Sequence, residues 1–129
     1  MFMIDHLSRQ PIYQQIICQL EHFILVGIMK AGDEMPSVRS LSVELCANPN
    51  TIQKAYAELN ARGVLCSVPG KGCFIAPDAA DILTRIRRER LADVEKVVKE
   101  LALAGVDRQE IMALIADVYD AIDRKEETH

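Results

Sequence analysis

From Pro11 onward the apolar residues Ile12, Ile16, Leu20, Phe23 and Ile24 recur at helical spacing until Gly27. Proline suits the first turn of a helix, where its missing N–H costs nothing. A first helix is therefore predicted between Pro11 and Gly27, and Lys30-Ala31-Gly32-Asp33 reads as a turn. Ser37, following Pro36, is a good N-cap. Val38, Leu41 and Leu45 then share one face of a short second helix. Asn48-Pro49 joins a capping side chain to a proline at the first helical position. Ile52, Ala55, Tyr56 and Leu59 follow at i, i+3, i+4 and i+7, and Gly63 supplies the stop, which makes a third helix. Val64-Leu65-Cys66-Ser67-Val68 and Cys73-Phe74-Ile75 are strand-like, and Pro69-Gly70-Lys71-Gly72 turns the chain between them. Two helices at short separation followed by a β-hairpin is the order of a winged helix-turn-helix.

Beyond Pro77, Ile82, Leu83, Ile86, Val94, Val97, Val98 and Leu101 predict one long helix ending at Gly105. Asp107 and Glu110 have the spacing of a capping box, with Val106 and Ile111 placed as its hydrophobic staple. Ile111, Leu114, Ile115, Val118 and Ile122 line one face of a last helix. The fold expected is mostly α with a small β-hairpin: a winged helix-turn-helix over residues 1–77 and a helical dimerisation region over 78–129. Two amphipathic helices cannot bury both apolar faces alone, so they need the winged domain or a second copy, and a homodimer is expected.

Charge changes this picture only through its distribution. The net charge of −4 argues at first against a nucleic-acid partner. Through Pro77, however, six Lys/Arg (9, 30, 39, 54, 62, 71) balance six Asp/Glu (5, 21, 33, 34, 44, 58), and the remainder carries the whole acidic excess. Phosphate contact depends on local placement of charge rather than its total. No apolar run reaches the roughly 18 residues a membrane span needs, and Asp5, His6 and Arg9 do not resemble a signal-peptide start. A cytoplasmic protein without a membrane partner is expected. Cys18, Cys46, Cys66 and Cys73 form no C-x-x-C pair and have no histidine cluster beside them, which leaves a zinc site unsupported. Reduced thiols in or near a core are expected, and a redox pair of Cys66 with Cys73 is the alternative. His6, His22 and His129 are scattered, and no nucleophile elbow, phosphate loop or metal-ligand spacing occurs. No enzyme activity, metal or cofactor is called for, and no small-molecule effector is assigned.

The third helix has an apolar inside and a distinct outside of Asn50, Gln53, Lys54 and Ala57, with Thr51 to one side. Asn and Gln pair bidentately with adenine, Lys reaches guanine or phosphate, and Thr serves either role. Any amphipathic helix also has a solvated polar face, so that reading stands beside the first. Arg39 sits in the first turn of the second helix, where it would face a groove or a phosphate. Lys71 lies between two glycines whose lack of a side chain lets backbone approach a duplex closely. The run Arg85-Ile86-Arg87-Arg88-Glu89-Arg90 reads as a solvated or salt-bridged helix face.

Five ordered segments carry a resemblance across about residues 9–76: Pro11-Ile12-Tyr13-Gln14-Gln15-Ile16; Gly27 through Gly32; Met35-Pro36-Ser37-Val38-Arg39-Ser40-Leu41; Asn48-Pro49-Asn50-Thr51-Ile52-Gln53-Lys54-Ala55-Tyr56; and Gly70-Lys71-Gly72-Cys73-Phe74-Ile75. Together they resemble the DNA-binding domain of the GntR family. The third-helix segment and the short tail resemble its YtrA branch, whose members regulate transcription and carry a two-helix dimerisation region in place of a large effector domain. The resemblance implies a homodimeric repressor on an inverted-repeat operator of double-stranded DNA. The DNA-facing residues it implies are Ser37, Arg39, Asn48, Asn50, Thr51, Gln53, Lys54, Lys71 and Gly72. Many members carry an arginine near the start of the third helix, where this chain has Pro49 or Asn50, and a threonine where it has Cys73. Base preference is therefore not carried over from the family. The rival reading is a winged helix used for protein contact alone, against which Arg39 and Lys71 count, since such a surface more often presents apolar anchors.

Overall fold

The three helices predicted ahead of Gly63 form as α1 (Ile12–Leu25), α2 (Val38–Leu45) and α3 (Pro49–Ala61). The structure, a computed structural model, describes residues 1–127; His129 lies outside the described residues. Ile16, Leu20, Leu41, Ile52 and Leu59 from these helices are fully buried together with Val64 and Ile75 from the hairpin segment. The apolar stripes of the sequence thus converge on one core. Strands β1 (Leu65–Val68) and β2 (Gly72–Ile75) pair antiparallel, with Leu65 opposite Ile75 at the buried base and Val68 opposite Gly72 at the tip.

Two attachments extend this core. Glu34 forms an isolated bridge with Phe74, and Met35 N–H donates to the Cys73 carbonyl at 2.7 Å while Ile75 N–H donates to the Asp33 carbonyl at 2.8 Å. The stretch read as a simple turn therefore ends in a strand-like edge on β2. Ahead of α1, Phe2 is buried and meets Phe23 edge-on at 5.6 Å between ring centroids. Gln15 and Gln19 hold this leading segment by their side-chain amides. Gln15 accepts from Asp5 N–H and donates to the Asp5 carbonyl, and Gln19 does the same with Met3. Gln15 is buried, and these bonds satisfy its amide as burial requires.

The helix expected to run unbroken through residues 82–101 is two helices, α4 (Ala79–Arg88) and α5 (Leu91–Leu103), separated by a turn at Glu89–Arg90. After Ile86 the next turn offers only Arg87, Arg88, Glu89 and Arg90, so the apolar stripe lapses and no burial holds the helix together there. The Arg90 carbonyl then accepts from Asp93 and Val94 N–H and opens α5.

The chain divides into two compact units, Met1–Arg87 and the remainder from Arg88. The first runs past Pro77, where the sequence placed the boundary, because Ala79 and Leu83 of α4 are buried in the same core. Gly63, at φ +82°, helps to admit α4: a Cβ there would lie 3.3 Å from Ile82 Cδ1. Arg87 adds an ion pair to Glu21 of α1 at 3.5 Å.

The second unit contains α5 and α6 (Arg108–Glu127). Val106 and Ile111 are half-buried where the staple was expected. No residue of α5 is buried. Val94, Val97, Leu101, Leu114, Ile115, Val118 and Ile122 all remain exposed within the single chain. No described helix is long and apolar enough to cross a membrane.

Candidate nucleic-acid interface

Helices α2 and α3 are joined by a tight turn with an αL residue, Cys46, at φ 52°. A non-glycine residue seldom adopts this conformation. Here Ala47 N–H bonds the Ser42 carbonyl at 3.1 Å, and the buried Ser42 hydroxyl donates back to the Ala47 carbonyl. The turn is thus closed from both sides, which fixes the angle between the two helices.

Both helices begin with the predicted caps. Ser37 Oγ accepts from Ser40 N–H at 3.0 Å, and Asn48 Oδ1 accepts from Asn50 N–H at 2.8 Å. The side-chain oxygens of Ser37 and Asn48 are therefore engaged in opening their helices. Beyond these caps, Arg39, Asn50 and Gln53 are exposed and Thr51 is half-buried.

The wing is fastened to this pair through residues 33–37. The β2 backbone holds Asp33 and Met35, the Tyr56 hydroxyl of α3 donates to the Pro36 carbonyl at 2.7 Å, and Ser37 opens α2. Burial, with the neighbouring Cys73 thiol as a smaller cause, pushes the Tyr56 hydroxyl above the ordinary tyrosine range, so it stays a protonated donor. At the tip, Lys71 and Gly72 are exposed. Gly72 adopts φ +123°, which L side chains rarely adopt, and a Cβ there would lie 2.9 Å from Glu34 Oε1.

Electrostatics explain how a neutral segment can present positive charge. Of its six cations, only Arg62 has carboxylate partners among the described residues, Glu21 at 2.7 Å and Glu58 at 3.3 Å. Asp5 and Asp33 accept from nearby backbone N–H groups. The side chains of Arg39 and Lys71 have no partner among the described residues, and the Lys54 ammonium lies 4.0 Å from the centroid of the Tyr13 ring. Glu21 and Glu58 take up Arg62, while Arg39, Lys54 and Lys71 make no ion pair among the described residues and remain available to an outside anion. The arginine run is different: Arg87 pairs with Glu21 and Arg90 with Asp93, as expected of a salt-bridged face.

Cys66 lies opposite Phe74, and Cys73 lies opposite Ser67. Successive strand residues point to opposite faces. The hairpin therefore directs Cys66 and Cys73 away from each other and does not build the redox pair considered above. No three potential metal-ligating side chains come together among the described residues.

Sequence reading found the capped helix starts and the wing tip. It missed Pro36 as the common anchor of α2 and α3, the Ser42 bond that closes the turn, and the Tyr13 ring under Lys54. The last depends on how α1 and α3 cross, which neither helix shows alone.

A capped helix pair around a closed turn, with a polar outer helix and a flanking hairpin, defines a winged helix-turn-helix of the DNA-binding class. Residues 12–75 match the family described as bacterial regulatory proteins, gntR family. The HTH-type transcriptional repressor YtrA of Bacillus subtilis (strain 168) is 36% identical over 119 residues, 92% of this chain and 92% of that protein. A transcriptional regulator from Oenococcus oeni superimposes with a TM-score of 0.72 at 32% identity, covering 90% of this chain and 97% of that one. AraR(DBD) in complex with operator ORX1 has a TM-score of 0.51 at 29% identity, covering 57% of this chain and 92% of that one. The chain belongs to the GntR family of bacterial transcription regulators, and it resembles the YtrA branch. The family and these relatives are regulators rather than enzymes.

Proposed function

We propose that this chain is a cytoplasmic, homodimeric repressor that binds an inverted-repeat operator. The observation that carries the reading is the set of exposed polar groups and cations at the openings of α2 and α3 and at the wing tip, where Arg39 and Lys71 make no ion pair among the described residues. In this reading the start of α3 enters the major groove. Asn50 and Gln53 address base edges there, and Thr51 serves base or phosphate. Ser37 and Asn48 present the capped helix starts to the backbone, Arg39 flanks the groove, and Lys54 supplies a cation beside it. Lys71 and Gly72 bring the wing against backbone or minor groove.

Dimerisation follows from the second unit. The exposed apolar residues of α5 and α6 have no cover in one chain, and a second copy supplies an equivalent surface. Two heads related by a two-fold axis require two half-sites in opposite orientation. The family resemblance to YtrA, a transcriptional repressor, supports the sign of regulation. A solved relative held on its operator supports duplex DNA as the partner.

Selection of the full chain against random duplex DNA, followed by sequencing, tests the reading. A palindromic consensus and sedimentation as a dimer are expected. Failure to retain any duplex at low salt would favour the protein-contact alternative, and a monomer on a single half-site would remove the inverted repeat.

A further inference from the structure

We propose that Tyr13 is a positioning residue for DNA binding: its ring holds the Lys54 ammonium beside the first turn of α1, where it meets a backbone phosphate rather than a base edge. This rests on the DNA-binding reading and assigns Lys54 a role that its place on α3 leaves open.

The geometry starts from the pairing of α1 with α3. The same offset of 41 residues separates Arg62 from Glu21 and Lys54 from Tyr13, so the two helices run in the same direction along this contact. The first turn of α1 thus lies at the end of α3 that carries Asn50, Thr51 and Gln53. Tyr13 is half-buried against the core, so packing fixes the ring whether or not a ligand is present. Lys54 is exposed, and its ammonium sits 4.0 Å from the ring centroid.

A ring and a carboxylate do different things to a cation. Farther along the same contact, Glu21 and Glu58 neutralise Arg62. The Tyr13 face attracts the ammonium through its quadrupole but leaves the positive charge in place. A lysine is otherwise a flexible point charge whose freedom is lost on binding. Held on the ring, it is drawn toward α1 and away from the outward line of Gln53. For a helix lying in a groove, that flank faces the phosphates of the bordering strand.

The test measures binding of the full chain to a labelled non-specific duplex of about 24 base pairs at several salt concentrations, an electrostatic probe that needs no known operator. Tyr13→Leu is expected to weaken binding about two- to fivefold, the range for an exposed cation–π contact. It is also expected to flatten the salt dependence toward that of Lys54→Met, which should lose about one unit of slope per subunit. In the Lys54→Met background, Tyr13→Leu should add nothing. Tyr13→Phe keeps the ring and should rescue both affinity and slope. Thermal melting of each variant separates loss of fold from loss of positioning. Independent effects of the two residues, or a Tyr13→Phe variant as weak as Tyr13→Leu, would overturn the assignment. Absence of duplex binding by the unaltered chain would instead remove the DNA-binding reading itself.

Discussion

The Tyr56 hydroxyl donates a 2.7 Å hydrogen bond to the Pro36 carbonyl. The bond joins the middle of α3 to the residue preceding the α2 cap, at the junction where β2 also attaches. Its removal acts on the relative placement of the two helices as well as on stability.

Tyr56→Phe is expected to cost about 1–2 kcal/mol, because ring packing is retained while a part-buried carbonyl loses its donor. Urea unfolding should show a lower midpoint with an unchanged slope. The raised folded-state pKa of Tyr56 adds a pH signature. A proton held more tightly by the folded chain stabilises it below the unfolded tyrosine pKa of about 10. As pH rises above that value, the unfolded chain releases the proton first and the contribution is lost. The stability gap between the unaltered chain and Tyr56→Phe should therefore narrow above about pH 10. A gap independent of pH would refute the argument.

Helix α4 belongs energetically to the first unit, since Leu83 is only 1% exposed. Leu83→Ala should cost about 2–5 kcal/mol, the range for emptying a packed leucine site. Shortening the chain at Pro77 removes the same side chain together with Ala79 and should destabilise the head, whereas ending it after Arg88 should leave the head folded. Denaturant melts of the three variants provide the comparison. A Leu83→Ala loss below about 1 kcal/mol would show that α4 is only loosely attached.

The boundary and the caps show which features are legible in a sequence. Ser37 and Asn48-Pro49 were readable because a cap acts within one turn of chain. Leu41, Ile52 and Leu59 were readable because burial imposes helical periodicity. The break at Glu89–Arg90 was hidden by apolar residues on both sides whose spacing can be continued across one charged turn. The Glu34–Phe74 bridge is made by backbone atoms, so no side-chain pattern marks it. The burial of Gln15 is explained only by the return of the leading segment, to which its amide bonds. Among the candidate site residues, the positions of Arg39, Gln53 and Lys71 followed from their elements. The Tyr13 ring under Lys54 depends on helix crossing and left no mark in either helix alone.

The opposed orientation of Cys66 and Cys73 predicts that mild oxidation will not link them within one chain. Peptide mapping after treatment with a thiol oxidant should recover both without a bond between them. Recovery of a Cys66–Cys73 peptide pair would show that the hairpin rearranges.

The DNA-readout assignment separates by salt and by sequence. Gln53 is exposed on the outer face of α3 and its side chain has no partner among the described residues, so its amide is open to a base edge. Gln53→Ala is expected to cost about 1–3 kcal/mol on the selected operator and to relax preference at one position in each half-site. The Lys71 side chain likewise has no partner among the described residues, but it stands at the wing tip next to Gly72, where a turn rather than a rigid helix presents it. Its expected partner is a phosphate, so Lys71→Ala should weaken all duplexes alike and reduce the salt slope by about one per subunit. Arg39 is compatible with either target from the first turn of α2, and Arg39→Ala should cause a large loss whichever it meets. Titrations of each variant against the selected site and its single-base variants, at several salt concentrations, distinguish these outcomes. Unchanged base preference in Gln53→Ala, or an unchanged slope in Lys71→Ala, would defeat the corresponding assignment. If these polar residues form only a solvated surface, each substitution should change affinity by no more than about 0.5 kcal/mol.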